Sequence, residues 1–112
     1  MSARRENTLN VAQARLVRWR ILKTLYMGRP YPVSESLMLQ IICDSAVAIS
    51  MRELRAELQY LTDPQKKFVS TRELRSINDN RDLALTSAGT DFVEYHAPAD
   101  EGIGRPHDAT KI

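Results

Sequence analysis

Apolar residues recur at helical spacing in three stretches of the chain, and the clearest stretch is Ser50 to Thr62. Spacings of 3, 4 and 3 place four residues on one face of a helix: Met51, Leu54, Leu58 and Leu61. Ser50 and Glu53 form a capping box, because each side chain can accept a hydrogen bond from the other residue's backbone N–H. Asp63-Pro64 ends the helix, since the residue before a proline is pushed out of the α region.

A longer helix is predicted from Thr8 to about Met27, and it carries two apolar stripes. The first stripe contains Ala14, Val17, Ile21 and Leu25, with Leu22 beside it; the second contains Ala12, Leu16 and Trp19. Asn7 or Thr8 can cap the start, and Gly28 with Pro30 ends the helix. Two stripes mean that the helix is covered from two sides. The domain core covers one side, and either the C-terminal segment or a second subunit covers the other.

A second, shorter helix follows the connector Gly28–Pro32, in which two prolines fix the backbone. Ser34 caps this helix, which runs to about Ser45. Its predicted buried face contains Leu37, Met38, Ile41 and Ile42. A short apolar link, Asp44 to Ile49, then leads to the helix that Ser50 begins.

The C-terminal half reads as a β-hairpin and a short helix. Phe68–Thr71 is a predicted strand, with an extension through Leu74 to Ile77 left open. Asn78-Asp79-Asn80 favours a turn, and Arg81–Leu85 alternates as a half-buried strand does. Thr86 is the predicted N-cap of a last helix that buries Phe92 and Val93. We therefore expect one domain over residues 1–96 and an irregular tail over 97–112.

The order helix, helix, link, helix, hairpin, short helix is the winged helix-turn-helix arrangement. The predicted fold class is mainly α with a small β-hairpin: a three-helix core, a two-stranded wing and a short C-terminal helix. With 112 residues the chain has room for one modest core. The single cysteine, Cys43, lies beside Ile41 and Ile42 and is expected to be a buried free thiol.

Charge is distributed unevenly along the chain. The net charge is +2, but residues 1–29 hold seven cations and one carboxylate, so they sum to +6 and the other 83 residues sum to −4. This asymmetry suggests an anionic partner for the basic third. Arginines on the solvent-exposed face of the long first helix explain the charge asymmetry equally well.

The third predicted helix presents two polar flanks. Arg52, Arg55 and Gln59 lie on one flank, and Glu53 and Glu57 lie on the other. Arginine and glutamine suit base edges and phosphates, although a solvated face of salt-bridging charges is the plainer interpretation. If the domain binds DNA, we expect the helix to enter the major groove and the basic residues around it to contact the backbone. The predicted DNA contacts are Arg52, Arg55, Gln59, Lys66, Lys67, Arg72, Arg75 and Arg81.

The segments Ser50–Leu61 and Leu85–Val93 make this sequence resemble the winged-helix superfamily over residues 8–95. The second segment is similar to the Leu-Thr-x-x-Gly stretch that leaves the wing in many such domains. More narrowly, the chain resembles a family of small Mu-like bacteriophage proteins at Tyr31–Met38, Ile49–Leu61 and Gly102–Pro106. This resemblance implies a winged-helix domain, a phage or prophage origin and a bacterial cytoplasm.

Two functions from different classes follow. The first is a DNA-binding protein that acts on double-stranded DNA, most simply a phage transcriptional regulator. The second is a protein–protein interaction module that binds other phage proteins during DNA packaging or head assembly. Glu53 and Glu57 favour the second function, because an exposed acidic flank repels phosphate.

Leu16 and Trp19 predict a homodimer through the long first helix, which would set two recognition helices about 34–36 Å apart on DNA. The alternative is a monomer in which Ala97–Ile112 folds back over Trp19. No glycine-rich phosphate loop is present, and His96 and His107 lack metal-ligand spacing. We therefore expect no enzyme activity, no cofactor and no metal. The chain also lacks an apolar run that could span a bilayer and has no secretory signal, so no membrane partner is expected.

Overall fold

The computed structural model describes residues 9–73 and 80–107. Within these residues the chain is a mixed α/β domain with four helices and a small three-stranded antiparallel sheet. In chain order the elements are α1 (Val11–Met27), β1 (Val33–Ser34), α2 (Glu35–Ser45), α3 (Met51–Thr62), β2 (Val69–Glu73), β3 (Arg81–Leu85) and α4 (Ser87–Val93).

Each of these helices begins at a polar side chain that accepts a backbone N–H. The predicted caps Ser34, Ser50 and Thr86 are confirmed, and Ser50 forms the expected capping box with Glu53. The prediction for α1 is wrong: Asn10 is its N-cap and forms a capping box with Gln13. Asn10 is the cap because Gln13, three residues later, accepts a hydrogen bond from the backbone N–H of Asn10 and donates its own N–H to the Asn10 side chain. Asn7 and Thr8 lie outside the described residues.

The sheet has the strand order β1-β3-β2, so the predicted two-stranded hairpin is incomplete. The missing strand is β1, in which Val33 pairs with Leu83 and Ser34 pairs with Asp82. A strand of two residues, the second of which is also the N-cap of α2, is too short to show a strand's alternation in the sequence. The possible strand extension from Leu74 to Ile77 and the first two residues of the predicted turn lie outside the described residues.

The core forms where α1 is packed by the other helices and by the inner face of the sheet. Its fully buried members include Val17, Ile21, Leu22, Met38, Ile42, Leu54, Leu61, Leu83 and Phe92. On α2 the inward face is Glu35, Met38 and Ile42, whereas Leu37 is exposed. Cys43 is also exposed, so its predicted burial is wrong. The helix α2 is oriented with Glu35, Met38 and Ile42 toward the core, and this orientation leaves Leu37 and Cys43 on the exposed side.

The C-terminal segment is irregular as expected, but it is packed on the body of the domain. Ile103 is buried in the core. The N–H of Gly104 donates to the carbonyl of Arg15 at 2.9 Å, and the guanidinium of Arg18 donates to the carbonyl of Gly102 at 2.9 Å. This segment therefore belongs to the folded unit over residues 97–107.

Trp19 is covered within its own chain. Its ring meets Phe92 of α4 edge-on, with 6.4 Å between centroids, and the guanidinium of Arg105 lies over Phe92 at 4.5 Å. The second apolar stripe of α1 is therefore covered at Trp19 by α4 and the C-terminal segment, which was the alternative to a second subunit. The burial of Trp19 contradicts its predicted role as a dimer contact. Leu16, the other predicted contact, remains exposed.

We predict that Ile103→Ala lowers the free energy of unfolding by about 2–5 kcal/mol, because it removes a buried aliphatic side chain and leaves a cavity. Denaturant unfolding followed by circular dichroism measures the change. Val11→Ala is the control, because Val11 is 77% exposed and its truncation should change stability by no more than about 0.5 kcal/mol. Equal stability of the Ile103 variant and the wild type would show that the segment is not packed.

We also predict that the protein is a monomer in solution, because the apolar ring that was expected at a dimer interface is covered by the chain itself. Light scattering should give a mass of 12.8 kDa. A dimer that persists on dilution and is lost in Leu16→Ala would restore the interface on α1.

Candidate nucleic-acid interface

The outward face of α3 carries the residues that the sequence singled out for base contacts. Arg52, Ala56 and Gln59 are exposed, and the side chain of Arg55 beside them is 38% exposed. Spacings of three and four residues put all of them on one side of the helix. Neither Arg52 nor Gln59 uses its side-chain polar group on a neighbour within the described residues, so both remain available to a ligand.

The predicted acidic flank of α3 is not exposed. Glu53 and Glu57 are both buried. Glu53 accepts the N–H of Ser50 at 2.9 Å, and Glu57 accepts Nε of Arg18 at 2.6 Å. The capping box and the pairing with α1 turn both carboxylates inward, so the expectation that α3 exposes an acidic flank is wrong.

Glu35 is the most deeply buried charged residue of the described chain, with no exposed side-chain surface. Arg55 reaches it from α3 with two N–O distances, 3.2 and 3.1 Å. Arg81 reaches it from the start of β3 with its backbone N–H at 3.1 Å and its guanidinium at 3.0 and 2.7 Å. One carboxylate therefore connects α2, α3 and β3.

The pKa of Glu35 lies below its ordinary value of 4.5. Burial acts in the opposite direction and raises the pKa, but the hydrogen bonds from Arg81 and Arg55 outweigh it. The carboxylate is therefore ionised at neutral pH. Arg55 and Arg81 were predicted as DNA contacts, and the structure ties both to this buried charge while leaving their outer surfaces 38% and 31% exposed.

Lys66 is paired with the C-terminal segment and lies over the ring of Tyr60 at 4.8 Å. Its Nζ lies 2.8 Å from Asp100, and the same carboxylate accepts the hydroxyl of Tyr60 at 2.6 Å. The hydrogen bond to Asp100 raises the pKa of Lys66. As a phosphate contact Lys66 is a poor candidate, because that role would require breaking this pair.

The remaining predicted cations differ in how free they are. Lys67 is exposed at the corner between α3 and β2, in a left-handed backbone conformation with φ of 48°. Arg72 on β2 bonds Asp82 across the sheet at 3.3 Å but keeps 76% exposure. Such an exposed pair is weak, so Arg72 can leave it for a phosphate. Arg75 lies outside the described residues.

The structure thus brings Arg52, Arg55 and Gln59 together on one face and joins Arg81 to them through Glu35. It separates Lys66 from this group. Glu35 was missed in the sequence, because an acidic residue in the first turn of a helix normally indicates only a favourable interaction with the helix dipole. No signal in the sequence distinguishes it from such a surface residue.

The described residues contain no group of histidine, cysteine and carboxylate side chains that could hold a metal ion. His96 and His107 are exposed. No helix in the described part of the chain is long and apolar enough to cross a membrane. Comparison with protein-family models, with curated proteins and with solved structures finds no match for this chain.

We predict that Glu35→Gln lowers the free energy of unfolding at pH 7 by about 2–3 kcal/mol, because charge-assisted hydrogen bonds to two arginines are lost. The wild-type pKa is lower in the folded state than in the unfolded state. The stabilisation is therefore complete above the unfolded value of 4.5 and is lost as the pH falls through the folded value.

Denaturant unfolding of both proteins over a pH series tests this prediction, with Glu101→Gln at an exposed carboxylate as the control. The stability difference between wild type and Glu35→Gln should shrink in acid, while the control follows the wild type throughout. A difference that is constant with pH would mean that Glu35 is not held as a charged group.

Proposed function

We propose that this chain is a winged-helix protein that binds double-stranded DNA, with α3 as the recognition helix. The order α1-β1-α2-α3-β2-β3 and the antiparallel sheet order β1-β3-β2 support this arrangement. In it, α2 and α3 form the helix-turn-helix pair and the β2–β3 hairpin is the wing. The resemblance of the sequence to winged helices and to Mu-like phage proteins supports the same proposal.

The observation that carries the proposal is the composition of the outward face of α3. It presents Arg52, Arg55 and Gln59, while both glutamates of the helix are turned inward. A helix fits the major groove of B-DNA, which is about 12 Å wide. Arginine there recognises guanine and glutamine recognises adenine through paired hydrogen bonds. The face therefore has both the charge and the side-chain types that base recognition uses.

Backbone contacts would come from fewer cations than the sequence suggested. Lys67 and Arg72 are exposed enough to reach phosphates, whereas Lys66 is held by Asp100. Each neutralised phosphate contributes about −0.9 to the slope of log affinity against log salt. We therefore expect a modest salt dependence and weak non-specific binding, with the outward face of α3 providing most of the discrimination.

The biological role that we propose is regulation of phage or prophage transcription in the bacterial cytoplasm. A role in packaging or head assembly was favoured by the two glutamates, and their burial removes that reason. Two recognition helices on one DNA would require a homodimer, whereas a monomer would bind a single half-site.

We predict that Arg52→Ala and Gln59→Ala each weaken binding to the preferred duplex by about 1–3 kcal/mol and relax the preference at one base pair. The preferred duplex is selected from a randomised DNA library, and fluorescence anisotropy at low salt gives the affinity. Lys67→Ala should weaken all duplexes alike and reduce the salt slope by about 1. Lys23→Ala is the matched control, because Lys23 is an exposed cation on α1.

The proposal fails if the selection enriches no sequence and the protein does not bind duplex DNA at micromolar concentration in low salt. It also fails if Lys23→Ala weakens binding as much as Arg52→Ala does, since DNA would then be held by general charge and not by α3.

A further inference from the structure

A surface groove runs along β3 between the connector that follows α1 and strand β2. At one end is a depression of about 490 Å³ lined by Leu25, Arg29, Pro30, Tyr31, Ala84 and Leu85. At the other end is a depression of about 360 Å³ that shares Ala84 and continues to Pro32, Ser70, Arg72 and Asp82. We call the two together the connector groove. Its lining comes from α1, the connector, β2 and β3.

The groove exists because β1 is shorter than the strand it pairs with. Val33 pairs with Leu83, so the next positions in register would be Pro32 and Ala84. Proline has no N–H to donate to a β-ladder, so the pairing stops there. The connector then leaves β3, and Ala84 and Leu85 continue without a partner on that side. The sequence Pro-Tyr-Pro thus opens the groove and gives it stiff walls.

The rim of the connector groove has the residue types that are enriched in protein interfaces. Tyr31 is 75% exposed, and Arg29 beside it is also exposed. Tyrosine, methionine and arginine are enriched in such interfaces relative to the rest of protein surfaces. Arg29 is held in place, since its guanidinium stacks over Tyr26 at 3.9 Å and its Nε donates to the carbonyl of that residue at 3.1 Å. A partner would therefore meet Arg29 in a fixed position, with the exposed Tyr31 in the same lining.

The charges of the groove favour an acidic occupant. Arg29 stands at one end and Arg72 at the other, and the one lining carboxylate, Asp82, is already bonded to Arg72. Between the cations the lining includes Ala84 and Leu85. Along β3 the lining extends from Asp82 to Leu85, about 10 Å at the rise of a strand, which matches three or four residues of extended chain.

We propose that the connector groove binds an extended, acidic peptide segment of a partner protein. One aliphatic or aromatic side chain of the segment packs between Tyr31 and Leu85, and its carboxylates pair with Arg29 and Arg72. Leu85 and the prolines of the lining favour a peptide side chain over the sugar–phosphate backbone of a single-stranded nucleic acid. This proposal does not rest on DNA binding by α3, although both proposals use Arg72.

The test is a selection of peptides from a random-sequence library on the full-length protein, followed by affinity measurements on the enriched peptides. Enriched peptides should contain aspartate or glutamate next to an aliphatic or aromatic residue. Tyr31→Ala and Arg29→Glu should each weaken their binding by about tenfold or more. Val11→Ala and Lys23→Glu are the matched controls, because both residues are exposed on α1 and neither lines the groove.

Tyr31→Ala should retain the wild-type thermal unfolding midpoint because Tyr31 is exposed, whereas Arg29→Glu loses the contacts with Tyr26 and should remain folded with a slightly lower midpoint. The proposal is overturned if no peptide is enriched, or if enriched peptides bind the Tyr31 and Arg29 variants as tightly as they bind the controls. It is also overturned if a single-stranded oligonucleotide binds with the same dependence on Tyr31 while peptides do not. Self-association that Tyr31→Ala abolishes would replace the partner peptide with a second copy of the chain.

Discussion

The ion pairs of Glu35 are the constraint on which the candidate interface depends. A carboxylate with no exposed surface is costly to bury, and it is tolerated because Arg55 and Arg81 supply five hydrogen bonds to its two oxygens. The donors come from α3 and β3 while the acceptor is on α2. The rotation of α3 is therefore coupled to the position of β3, and that rotation decides which side chains face outward.

Most cations among the described residues contact groups of their own chain. Arg18 neutralises Glu57 and binds the C-terminal segment, and Lys66 neutralises Asp100. The first pair turns Glu57 of α3 inward, and the contacts of Arg18 and Lys66 with Gly102 and Asp100 hold the C-terminal segment against the body of the domain. The net charge of +2 is therefore a poor guide to the surface. What determines the character of a face is which cations lack an internal partner, and among the described residues these include Arg20 on α1, Arg52 on α3 and Lys67.

Local features of the fold were predictable from the sequence, and features that depend on distant contacts were not. The capping box at Ser50, the end of α3 at Asp63 and the N-cap at Thr86 involve residues within a few positions of each other, and all are confirmed. Strand β1 was missed because two residues carry no periodicity. The burial of Glu35 was missed because its partners lie 20 and 46 residues away.

The distinction between local features and distant contacts also explains which parts of the candidate site were predicted correctly. Arg52, Arg55 and Gln59 were placed on one face by helical spacing alone, which is a local property. Their neighbours were misjudged because a helical wheel does not show what packs against each flank. Trp19 was assigned to a second subunit for that reason, although Phe92 and the C-terminal segment already cover it.

The central claim is that duplex DNA meets the outward face of α3, beside the arginine that Glu35 holds. The Nε–Hε signals of the arginines in an NMR titration with duplex DNA at low salt test it most directly. We expect the signal of Arg52 to shift, while the signal of Arg18, whose Nε is held by Glu57, stays in place. An unchanged signal of Arg52, or shifts confined to Arg18 and Arg29, would contradict the account.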